Sequence, residues 1–225
     1  MANLMSFNGV HYAHKWIRSE LERLEKETRQ LATVEDARAC ADYLAFFHTG
    51  VSGHNAGEEL VLWPALEAKV PQVTVPYALD HRADEQTFQT LLGLLAHFQA
   101  ARGEGERADL ARQINREAIV LNAAISHHAN KEDVQIIPLS EEHFSREEKE
   151  ALSGGMVAHL PRELMARAMP TLVMALSPDE REDHLRLMMA GMPAAAFRGI
   201  GAIVQGGIPA EAWAELVARI PELGG

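Results

Sequence analysis

The sequence is short of several things, and each shortage closes a class of function. Cysteine occurs once, as Cys40. That excludes an internal disulfide framework, a cysteine-based zinc ribbon and an iron–sulfur cluster. Aromatic residues make up 6% of the chain and β-branched runs are few, which argues against an all-β fold. Positive charge is also scarce: 21 Lys plus Arg stand against 32 Asp plus Glu, a net charge of −11. Such a chain lacks the basic footprint of a nucleic-acid binder. No run of about 20 apolar residues is free of charge, so no membrane-spanning helix is expected. The stretch MANLMSFNGVHYAHKW lacks the basic start, apolar run and small-residue cleavage site of a signal peptide, and a cytoplasmic protein is the expectation. A phosphate loop, an H-E-x-x-H pair and a nucleophile elbow are all missing.

What remains is 225 residues, 47% of them apolar, enough to bury a sizeable core. The pattern is helical. Trp16, Ile17, Leu21, Leu24 and Leu31 recur at three-to-four spacing and predict a helix over 10–31. Thr33, with Asp36 three residues later, reads as a cap opening a second helix over 34–70. The glycines of GVSGHNAGEE are expected to kink or briefly break its middle. A third helix is predicted over 75–101 and a fourth over 107–137, stopping near Pro138. Long helices joined by short connections pack as antiparallel neighbours. The fold class expected is therefore all-α: an up-down-up-down four-helix bundle over 1–142, then an extension of short, proline-cut helices over 143–225.

Histidine is the unusual count, at 11. Two histidines open the same pattern, His54-Asn-Ala-Gly-Glu58 and His128-Ala-Asn-Lys-Glu132. Residues four apart stack on one helix face, so each motif offers an imidazole and a carboxylate pointing the same way. His14 and His81 lie near the middles of the first and third helices. A bundle then aims His14, His54, Glu58, His81, His128 and Glu132 at one core site. Each alone reads more simply as a packed or solvated side chain, but the whole set favours metal. Mixed nitrogen and oxygen ligation suits iron or manganese, and two ions bridged by carboxylates more than one. Bound cations would offset the cost of burying these groups.

The motifs HKWIRSEL, GHNAGEELVLWPAL, YALDHRADEQTF and SHHANKEDVQIIPL, in this order, resemble the hemerythrin-like HHE cation-binding family over about residues 10–140. The resemblance implies a four-helix bundle holding two non-haem iron ions bridged by oxygen, with an open position for O2 or NO. Manganese or zinc are the other occupants such a ligand set admits. One position departs from the oxygen carriers: where their third helix presents a second histidine, this chain has Glu85. Glu85 stands as a seventh ligand, as a partner behind the ligands, or as a solvated residue. The segment Met156–Pro193 resembles, more loosely, the helical extension after the hemerythrin domains of plant iron-regulating E3 ligases. Without zinc-ligand cysteines the ligase activity is not implied.

The function expected is binding of, or reaction with, O2, NO or peroxide at a His/Glu diiron site. The alternatives are a diiron oxidase or peroxidase acting on a small substrate, and an iron sensor or store. Seven of the nine methionines lie beyond residue 150. They pack the short helices or offer a surface for a protein partner. His11 reads as a residue near the site or on the surface, His127 as one near the site or at a helix interface, and His48, His97, His143, His159 and His184 as non-ligating.

Overall fold

The computed structural model describes residues 8–224, so the start of the leader reading (residues 1–7) lies outside them. Those residues form helices, with no strand among them. Helix α1 (Asn8–Arg29), α2 (Val34–Gly57), α4 (Val75–Ala100) and α5 (Glu104–Lys131) make the four-helix bundle, with α3 (Trp63–Glu67) and α6 (Ile137–His143) continuing the second and fourth. Helix α2 opens on the cap read from sequence. Asp36 N–H donates to Thr33 Oγ1 at 3.1 Å, and Thr33 N–H returns to Asp36 Oδ2 at 2.8 Å.

Gly50 and Gly53 leave α2 unbroken, and the break expected within GVSGHNAGEE comes at Glu58. The glycines allow close approach instead. A Cβ on Gly50 would meet Trp16 of α1 at 2.5 Å, and one on Gly57 would meet the Met156 backbone at 3.1 Å. The irregularity comes later, as single wide turns at Glu58–Leu62 (π1) and Glu132–Ile136 (π2). Pro64 and Pro138 follow these turns, and a proline cannot donate to the carbonyl four residues back. Each helix answers with a bond five residues long, from Trp63 N–H to Glu58 O and from Ile137 N–H to Glu132 O.

Two apolar clusters divide the bundle. The larger one is built on Leu21, Leu24, Phe47, Phe88, Leu91 and Leu121. The smaller, at the other end, holds Val10, Leu62, Trp63, Tyr77 and Phe144. His14 lies between them along α1. The remaining helices, α7 (Arg146–Val157), α8 (Arg162–Ala175), α9 (Pro178–Gly191), α10 (Ala194–Gly207) and α11 (Ala210–Arg219), carry a third cluster on Met169, Val173, Leu185, Phe197 and Val204. Met165, Met188, Met189 and Met192 pack against that cluster, so several of the methionines fill a core. Helix α7 lies on α2 and π1, and α8 and α9 lie on α1. No helix among the described residues is long and apolar enough to cross a membrane.

Candidate metal centre

Each ligand candidate arrives on a different turn of the bundle. Helix α1 brings His14, α2 brings His54, and the first residue of π1 is Glu58. Helix α4 brings His81, α5 brings His128, and the first residue of π2 is Glu132. Two groups form, His14 with His54, and His81 with His128, each joined by both Glu58 and Glu132. Within each group the nearest donor atoms lie within 4.8 Å of one another.

The imidazoles face each other in pairs. His14 Nε2 is 3.2 Å from His54 Nε2, and His81 Nε2 is 3.1 Å from His128 Nε2. The carboxylates span the pairs. Glu58 Oε1 lies 3.3 Å from His54 and Oε2 lies 3.4 Å from His81. Glu132 Oε2 lies 3.3 Å from His14 and 3.2 Å from His128. Both carboxylates are fully buried, and none of their four oxygens accepts a hydrogen bond. Leaving such groups unsatisfied is costly.

A second layer of carboxylates fixes the histidine rings. Nδ1–H of His14 donates to Asp133 Oδ1 at 2.8 Å, that of His81 to Glu59 Oε1 at 2.8 Å, and that of His128 to Asp80 Oδ2 at 3.3 Å. A carboxylate only accepts, so these contacts place a proton on Nδ1, and in the neutral ring they leave Nε2 as a lone pair aimed inward. Arg18 and His11 hold Asp133 in turn, at 2.7 and 3.2 Å, and Lys131 pairs with Asp80. Two bare nitrogens at about 3 Å repel unless a cation or a proton lies between them. They also sit at the spacing of two imidazoles on one ion with bonds of about 2.1 Å. The donor set therefore fits two divalent ions of the nitrogen-and-oxygen-loving kind.

Electrostatics agree. Burial works to lower the His14 pKa, but the bond to Asp133 and the charge of Glu132 override it and hold it at about 9. His81 and His128 also rise against burial, through Glu58 and Glu132 respectively. His54 goes the other way: burial lowers it, and Glu58 offsets this only in part. An ion entering here displaces protons, so its binding is pH-dependent.

The structure brings together six of the seven residues singled out from sequence. Glu85 stays apart. It is half exposed on α4 and accepts from His48 Nε2 at 2.6 Å. The acid that does face inward on α4 is Asp84, 3% exposed, whose carboxyl burial pushes up to about 6 against the pull of His128 and His81. Sequence reading missed it, and missed Asp80. The available signal for Asp84 was its place three residues after His81, on the same face. His127 is exposed rather than packed at an interface. His184, read as non-ligating, lies outside the cluster, with both ring nitrogens buried.

A family model described as hemerythrin HHE cation binding domain matches residues 7–140, which contain all six clustered residues. Among curated proteins, the chain is similar to "Zinc finger protein BRUTUS" of Arabidopsis thaliana, 28% identical over 174 residues, covering 76% of this chain and 14% of that protein. A BRUTUS-like zinc finger protein of the same plant is 26% identical over 179 residues, with the same coverage. The chain thus spans about a seventh of the length of these relatives. No solved structure matches it.

Proposed function

This chain belongs to the hemerythrin HHE cation-binding domain family, and we propose that its centre holds two non-haem iron ions and binds or reacts with O2, NO or peroxide. One observation carries the reading: four buried carboxylate oxygens lack hydrogen bonds, and three of them lie within 3.4 Å of the paired imidazole nitrogens. Glu58 and Glu132 would bridge the two positions. His14 and His54 would complete one, His81 and His128 the other. Iron at these positions supplies redox chemistry and open coordination sites for a small ligand.

The protein's own contribution is positioning. Asp133, Glu59 and Asp80 hold three imidazoles in one tautomer and one orientation. Trp63 stacks on His81 with ring centroids 4.7 Å apart and planes at 17°, shielding it from water. Residues 1–142 form the metal-binding unit in this reading, and 143–225 an extension packed on it. That packing favours iron sensing as the second reading, because the extension lies on the helices that carry His14 and His54.

Elemental analysis of untagged protein tests the proposal. About two irons per chain are expected, and fewer in Glu58→Ala. Spectral change on anaerobic addition of NO, and on admission of O2 or peroxide, then identifies the ligand. Zinc alone would point instead to a structural or hydrolytic site. No bound metal after anaerobic iron loading would sink the proposal.

A further inference from the structure

The two halves of the centre are not built alike. His81 and His128 are each held from behind by a carboxylate, Glu59 and Asp80. Each also meets an aromatic ring: Trp63 lies flat on His81, and Tyr77 stands edge-on to His128 at 6.1 Å. Their side chains are 4% and 6% exposed. His14 is anchored by Asp133. His54 has no such support. Its Nδ1 finds no hydrogen-bond partner among the described residues, its one ring contact is His14, and its side chain is 10% exposed, the most of the four. It sits between Gly53 and Gly57, with Gly50 one turn earlier, in the part of α2 with the least intrinsic helix preference.

An imidazole held by a second bond and by packing stays aimed at its ion, whereas one free to turn loses rotamer entropy on binding and leaves more easily. We propose that the two ions bind unequally: the His81/His128 position fills first and tightly, the His14/His54 position fills second and exchanges, with His54 as the ligand that releases. This rests on the two-ion reading above. Helices α8 and α9 touch the weaker position through α1, whereas α7 packs Met156 into the cluster that holds Trp63 and Tyr77. Around His14 on α1, Trp16 Nε1–H donates to Thr171 Oγ1 at 2.9 Å, Tyr12 donates to Asp183 at 2.6 Å, and Lys15 pairs with Glu180. Beside His54, a Cβ on Gly53 would meet Leu160 at 2.8 Å. Filling the second position joins α1 to α2, the two helices on which that layer rests, so the layer responds to the exchanging ion and not to the tight one.

The test is an anaerobic titration of the metal-free full-length protein with Co(II), followed by visible absorption and calorimetry. Hydrogen exchange of α8 and α9 is measured at zero, one and two equivalents. Two steps are expected, one ion each, with dissociation constants at least about tenfold apart. His54→Ala and the bulkier His54→Gln should remove the second step and leave the first. Asp80→Asn should weaken the first step about tenfold to a hundredfold. Protection in α8 and α9 should rise with the second equivalent. Two ions taken up in one step of equal strength, loss of the first step in both His54 variants, or protection complete at one equivalent would each overturn the inference while leaving the two-ion centre standing. Failure to bind any Co(II) would overturn both.

Discussion

His184 shows how much one misplaced polar group can do. Its ring lies edge-on to Tyr12 at 5.6 Å, with both nitrogens buried and unpartnered. Across from it Tyr12 is bonded to Asp183, and Lys15 to Glu180. Burial pushes the His184 pKa down to about 4, with Asp183 pulling weakly upward. The sign follows. Between pH 6.5 and 4 the unfolded chain binds a proton that the folded chain refuses, so stability is full above 6.5 and falls as the pH drops through that window. The loss approaches about 3 kcal/mol at the acid end. His184→Phe keeps the ring and removes the base. In urea denaturation, the variant should gain on wild type as the pH falls from 7 to 4.5. A difference that stays constant with pH would mean the ring is solvated. This burial was illegible in the sequence because the segment around His184 gives no hint that α9 lies on Tyr12. Four of the six clustered residues were legible because two i, i+4 pairs fix their own direction on a helix, and His14 and His81 because they lie near the middles of the other two helices. Asp80 was not, because it sits beside His81 in the chain yet serves His128 on another helix.

At the scale of elements, the glycines of α2 serve close approach, and the break in regular helix falls at the wide turns. Helix propensity marks glycine as a weak point, yet α2 passes through Gly50 because a side chain there would strike buried Trp16. The wide turns fall before Pro64 and Pro138. Both wide turns begin at a buried glutamate of the cluster, so the extra residue rotates the helix just where Glu58 and Glu132 point inward. Sequence periodicity reads the span of a helix well, but close approach depends on which helix lies opposite, and only the fold supplies that. A pair of substitutions separates the effects. Gly50→Ala should destabilise by about 1–3 kcal/mol through overpacking against Trp16. Gly93→Ala, on α4 with nothing within 4 Å of the added atom, should stabilise by about 0.5–1 kcal/mol. Chemical denaturation of the two variants reads the contrast. Equal signs would mean that Trp16 yields freely, and that close approach does not explain Gly50.

For the whole molecule, the centre stands between two apolar clusters, and its polar groups interrupt what would otherwise be a continuous core. Without an ion, Glu58 and Glu132 keep four oxygens buried and unbonded. The folded state then bears a cost that the unfolded chain, free to hydrate them, does not. An ion that binds only the folded site reverses this by mass action, adding about 2.7 kcal/mol for each site at a hundredfold excess over its dissociation constant. For a chain of this size, about 1 kcal/mol moves the midpoint by about 2–4 °C. If the centre holds two ions as proposed, chelation of loaded protein should therefore lower Tm by roughly 10–20 °C. The C-terminal helices add a directional element. Their own core is separate, but Tyr12, Lys15 and Trp16 tie them to α1. Loss of metal should loosen these ties before the Phe47–Phe88 core melts, so scanning calorimetry of the stripped protein should show a broadened or divided transition where the loaded protein shows one. An unchanged Tm after verified removal of metal would mean that the buried carboxylates find other partners, and that the centre contributes nothing to the choice of this fold.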